Sequence, residues 1–199
     1  MMKVFRKSDL RQFNNLLSLV VVGLSIYILI WPLIPAIGWR LSHYKKQPTP
    51  AQLSATILAK PKDQNVPKAN TLVVPRMDLS QEIHEGSNNF TLEKGAWRRP
   101  KTSSPDIGGN TVIVGHRFSY SSIGTFYHLD KIQVDDLIVV YWQGKQYDYK
   151  VASSAVVPAT QLSVEENTKE PQLTLYTCTP LWSFKDRLVI VAKPIGEKI

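Results

Sequence analysis

The sequence predicts a mainly all-β domain, a sandwich or barrel of short strands, preceded by one membrane-spanning helix. Three observations carry that prediction. From Thr71 onward, short runs rich in β-branched and aromatic residues alternate with turn signals. From Gln12 to Trp39 no residue is charged, and Leu16 to Trp31, reading LLSLVVVGLSIYILIW, supplies the length that a bilayer core requires. The 199 residues suffice for one domain with appendages and fall short of two sizeable cores.

Taken in order, residues 1–11 form a basic tail, with Lys3, Arg6, Lys7 and Arg11 against Asp9 alone. By the positive-inside rule this tail stays in the cytoplasm and everything after Arg40 is exported. Residues 12–39 read as a single-pass transmembrane signal anchor, with Trp31 and Trp39 suited to the far interface. A cleaved signal peptide begins in the same way. The length of the apolar run, and the lack of a clear small-x-small cleavage site after it, favour the uncleaved anchor. Residues 40–70, with Pro48, Pro50, Pro61 and Pro67 among lysines and polar residues, read as a solvated spacer.

Residues 71–199 read as the folded domain. Its expected strands are Leu72 to Val74, Gln81 to His84, Thr111 to Gly115, Leu137 to Trp142, Gln146 to Val157, Gln172 to Thr177 and Arg187 to Ala192. Gln143 and Gly144 separate two of them as a hairpin turn would. Asn88 to Lys94 and Ser122 to Leu129 read as short helical turns.

The formal net charge of +8 raises nucleic acid as a partner. Residues 1–70, however, hold 10 Lys/Arg against 2 Asp/Glu, whereas residues 71–199 hold 14 of each. A nucleic-acid reader carries its basic surplus on the domain itself, so that class is set aside. The single cysteine, Cys178, excludes an internal disulfide framework and any multi-cysteine metal site. A lone cysteine is ordinarily a small buried hydrophobe, so its surroundings must argue otherwise.

They do. Thr174 to Cys178 closes one apolar strand, and Arg187 to Val191 opens the next. If the two pair as antiparallel neighbours, Cys178 and Arg187 meet at one end of the sheet, setting a thiol beside a permanent cation. Asn110 to Arg117 is an apolar strand ending in Gly115-His116, where a side chain leaves the core at the strand's exit. A thiol near its ordinary pKa is mostly protonated at neutral pH, and a nearby imidazolium or guanidinium favours the thiolate that attacks a carbonyl.

These residues resemble the sortase family. The family's signature is a Thr-Leu-x-Thr-Cys strand end, an Arg opening the following strand and a His after an earlier apolar strand, here 178 − 116 = 62 positions upstream. The resemblance runs from Leu72 to about Ala192. It takes in Leu92 to Trp97 and Gly108 to Asn110, and Thr125 to Leu129 with Cys178 to Pro180 look most like class E and class D sortases. It implies a closed β-barrel of about eight strands with one or two short helices. Cys178 would be the nucleophile that cleaves the Thr-Gly bond of a Leu-Pro-x-Thr-Gly or Leu-Ala-x-Thr-Gly sorting signal and carries the thioester. His116 would be the general acid and base, and Arg187 would stabilise the oxyanion and the bound peptide. Implied partners are secreted proteins bearing sorting signals and an amine acceptor, either a lipid-linked peptidoglycan precursor or a pilin lysine, at a bacterial cell membrane. Thr177 and Tyr176 are expected at the substrate, with Tyr176 sharing the side of Cys178 by strand alternation.

The other polar residues take quieter readings. His128, between Tyr127 and Leu129, reads as structural, and His84 and His43 as parts of a strand end and the spacer. Arg117, directly after His116, could line a groove but reads rather as a surface loop cation, Asp186 as a holder of Arg187 or a solvated residue, and Trp182 as packed in the loop after Cys178. Glu165 and Glu166 read as a solvated loop where the family's specificity loop would fall. No metal and no cofactor is expected, since calcium needs several spaced oxygens. Rival enzymes are weakened by order: papain-like enzymes place the Cys before the His, and L,D-transpeptidases carry His-Gly-Cys. A catalytically inactive tethered barrel that binds sorting peptides is the rival from another class.

Overall fold

The computed structural model describes residues 7–31, 34, 66–118 and 124–196. Trp39, His43 and most of the expected spacer lie outside them. Helix α1 spans Lys7–Ile30, starting upstream of the uncharged run. Its stretch Arg11–Ile30 is long and apolar enough to cross a membrane, and none of it is buried. At 1.5 Å per residue those 20 residues reach about 30 Å, the thickness of a hydrocarbon core. Within the span the Ser25 hydroxyl donates to the carbonyl of Val21 at 2.8 Å, so it is satisfied by the helix itself.

The second unit is a closed barrel. Its strands are β1 Thr71–Val74, β2 Leu79–His84, β3 Ala96–Arg98, β4 Asn110–Val114, β5 Leu137–Trp142, β6 Lys145–Pro158, β7 Gln172–Thr179 and β8 Asp186–Pro194. They run β1-β2-β3-β4-β7-β8-β6-β5, and β5 pairs with β1 to close the circle and remove the exposed edges. The pairs β2/β3 and β4/β7 are parallel; the others are antiparallel. Strand β3 escapes the sequence reading because three residues carry no periodicity. Its place is set by pairing, Trp97 opposite Val114. Asn89–Lys94 is a 3-10 helix, much as expected. Near the second expected turn the 3-10 helix is Leu129–Lys131, after turns at residues 125–128; Ser122 and Ile123 lie outside the described residues.

Alternation along the strands divides the apolar residues between two places. Leu72, Ile113, Ile138, Leu173, Leu175 and Ile190 fill the barrel. Trp97, Val112 and Val114 form a smaller cluster, with Leu92 and Tyr176 packed against it. Strand β4 is therefore buried on both faces, which is why it reads as an unbroken run rather than an alternation. The β5–β6 hairpin turns on Gln143 and Gly144, both at positive φ (49° and 74°), the conformation for which the Gly is suited.

Candidate active site

The site follows from the strand register. Parallel strands β4 and β7 pair from Asn110↔Gln172 to Val114↔Tyr176, an offset of 172 − 110 = 62. His116 and Cys178 differ by the same 62, so extending the ladder by two residues sets them level on neighbouring strands, with side chains on one face. The backbone continues that course, since Gly115 N–H donates to Tyr176 O at 3.4 Å. On the other side of β7, Cys178 pairs directly with Arg187 of β8. Leu173, Leu175 and Thr177 alternate inward, leaving Thr174, Tyr176 and Cys178 outward.

His116 is held by its neighbours. Phe126 N–H donates to His116 O at 2.9 Å. A Cβ on Gly115 would sit 2.9 Å from the ring of Phe126, which is fully buried, so the glycine before His116 gives that ring room. Imidazole Nε2 lies 3.1 Å from Glu93 Oε1. Cys178 is a free, half-buried thiol. Both residues line one groove of about 310 Å³, walled by Phe118, Pro180, Trp182 and Phe184 and with Glu93 at its rim.

Arg187 does not line that groove. Its Nη1 donates to the carbonyls of Phe184 and Asp186, each at 3.0 Å, so it secures the β7–β8 loop. Asp186 meets it through a main-chain carbonyl rather than a carboxylate. Thr177 is buried and donates to Gly115 O at 2.8 Å, tying β7 to the turn before His116. Tyr176 donates to Glu165 Oε1, and burial, then the Glu165 bond, push its phenol above the ordinary tyrosine range.

Three quiet readings need correction. Arg117 is no loose surface cation: its side chain is 12 % exposed, it lines the groove, and it bonds Thr179 Oγ1 at 2.9 Å and pairs with Asp130 at 3.3 Å. Glu165 is not simply solvated, because it also accepts from Arg99 Nε at 2.8 Å and so clamps the β6–β7 loop down. Asn110 Nδ2 adds bonds to the carbonyls of Val164 and Glu166 in the same loop. Trp182 is 58 % exposed and meets Phe118 with ring centroids 3.7 Å apart, forming groove wall rather than loop packing. Glu93 was missed altogether, since nothing in its local sequence distinguishes it from a solvated acid. Of the other histidines, His84 pairs with Trp97 between β2 and β3, and His128 stands edge-on to Tyr127.

The spacing that underlies the resemblance is thus the register of the barrel itself. Comparison with known proteins covers the same region: a model described as Sortase domain matches residues 72–195, and the chain belongs to the sortase family, which is known for cysteine transpeptidases. It is 32 % identical over 145 residues to Sortase SrtE1 of Streptomyces coelicolor, covering 64 % of this chain and 40 % of that protein. Among solved structures, sortase A from Corynebacterium diphtheriae superposes with a TM-score of 0.59 at 26 % identity, covering 67 % of this chain and 63 % of that one. Sortase C2 of group B Streptococcus pilus island 1 gives 0.59 at 27 %, covering 66 % and 77 %. The chain therefore spans well under two thirds of the length of the Streptomyces relative.

Proposed function

We propose that this chain is a cysteine transpeptidase that cleaves the Thr-Gly bond of a Leu-Pro-x-Thr-Gly or Leu-Ala-x-Thr-Gly sorting signal and passes the acyl group to an amine. The observation that carries the reading is the common 62-residue offset, which sets His116 level with Cys178 at one groove. The Cys178 thiolate attacks the threonine carbonyl carbon. The amide C–N bond breaks, and the departing glycine amine takes a proton from His116, leaving a thioester. An incoming amine, from a cell-wall precursor or a pilin lysine, then gives a proton to His116 and attacks the thioester carbon. The C–S bond breaks and the thiolate returns.

Arg187 is assigned to the oxyanion. It stands opposite Cys178 on β8, but with Nη1 held by the loop carbonyls and the side chain outside the groove, this role requires the guanidinium to turn toward the bound peptide. Tyr176 and Thr177 shape the groove through the strand rather than by contact with the peptide, in keeping with their bonds to Glu165 and Gly115. The similarity to Sortase SrtE1 favours a class E or class D enzyme. We assign it to a bacterial cell membrane, with α1 as the single span, the N-terminus cytoplasmic and the barrel exported, as the basic tail dictates.

The test is thioester trapping. The full chain in detergent micelles is incubated with a sorting-peptide panel and Cys178 is read by intact mass. An acyl adduct in the wild type, absent from a folded Cys178→Ala variant, is expected. An unmodified Cys178 across the panel in a folded protein refutes the reading.

A further inference from the structure

We propose that Glu93 is a positioning residue for His116: its carboxylate holds the Nε2–H of the imidazole, leaves Nδ1 to exchange protons with the reaction, and faces the ring when Nδ1 takes the proton of Cys178. This rests on the assignment of Cys178 and His116 as nucleophile and base.

The bond itself is 3.1 Å, from His116 Nε2 to Glu93 Oε1. An imidazole has two nitrogens, and the partner of one decides which carries the proton in the neutral ring. With a carboxylate at Nε2, the proton of the neutral form sits there and the Nδ1 lone pair is free. When the thiol S–H breaks and an Nδ1–H forms, the ring becomes a cation facing an anion on its far side, and that product is stabilised.

Glu93 is held where this requires it. It stands in the 3-10 helix Asn89–Lys94, closed by Gly95 N–H donating to Leu92 O. Leu92 packs against Trp97, Val112 and Val114, so the helix rests on the strand whose exit bears His116. The charges around the imidazole make Glu93 distinctive. Arg117 adjoins it in the chain and lines the groove, and Arg187 lies across from Cys178 on β8. Both cations oppose a second positive charge. Asp130 is engaged by Arg117 and Lys131. Among the described residues lining the groove, Glu93 is the one carboxylate. Its side chain is 64 % exposed, so water and salt weaken the pairing, and its effect on the reactivity of Cys178 is about two- to fivefold.

The experiment uses the lone cysteine as its own reporter. Alkylation of Cys178 by iodoacetamide is followed by intact mass on the full chain in micelles, across about pH 5 to 10. Wild type, Glu93→Gln and Glu93→Asp are compared at low salt and in ~1 M NaCl. Glu93→Gln is expected to slow alkylation near neutral pH about two- to fivefold and so alter the profile. Glu93→Asp recovers part of the loss, and high salt erases the difference between wild type and Glu93→Gln. Superimposable profiles at low salt overturn the proposal. So does a loss that survives high salt and is not recovered by aspartate, which marks a structural effect. Alkylation needs no sorting peptide. A Glu93→Gln shift in a chain that forms no peptide thioester removes the transpeptidase reading alone, and peptide turnover without the shift removes the Glu93 proposal alone.

Discussion

The clamp on the β6–β7 loop is open to a double-mutant cycle. Glu165 accepts from the Tyr176 hydroxyl and from Arg99 Nε at 2.8 Å, and the Arg99 guanidinium lies 4.6 Å from the Trp97 ring centre. The side chains of Arg99 and Glu165 are only 27 % and 22 % exposed, so the pair is partly shielded from water. Tyr176→Phe removes one bond to a charged acceptor and leaves Glu165 its arginine, a cost of about 1 to 2 kcal/mol. Glu165→Ala strands a half-buried phenol donor and an arginine together, at about 1 to 3 kcal/mol. Because the two changes share one bond, the double variant should fall short of their sum by about 1 kcal/mol. For a barrel of this size each kcal/mol moves the melting temperature by about 3 to 5 °C, which circular dichroism of the full chain in micelles resolves. Strict additivity, within ~0.3 kcal/mol, refutes the clamp.

Two further outcomes follow from the same geometry. Gly115→Ala drives a methyl to 2.9 Å from the Phe126 ring, an overpacking cost of about 1 to 3 kcal/mol. Because Phe126 N–H holds His116 O, thioester formation should fall along with the melting temperature, and a variant that melts normally refutes the crowding. The Tyr176 phenol is held above its ordinary range by burial first and Glu165 second, so the fold prefers its neutral form. Its contribution is then complete below the unfolded value near ~10 and is lost progressively as pH rises above that. Phenolate absorbance should show Tyr176 ionising only with alkaline unfolding, and earlier ionisation in a Glu165→Ala variant.

The chain itself determines more of this site than local motifs suggest. A parallel ladder repeats one offset along its length, so the 62 residues between His116 and Cys178 are the same 62 that join Asn110 to Gln172. The apolar run of β4 and the alternation of β7 are likewise legible, because strand periodicity is written in adjacent residues. So is the charge-free run of α1. What the sequence left open are the polar residues between elements. Arg117 and Glu165 looked like solvated loop charges and Glu93 drew no reading of its own, yet each meets its partner from a distant part of the chain: Thr179, Arg99 and His116. The burial of a charge depends on which surface closes over it, and that surface exists only after the barrel has brought β4, β7 and their loops together. The tertiary structure alone decides which of these charges face water and which face the thiol.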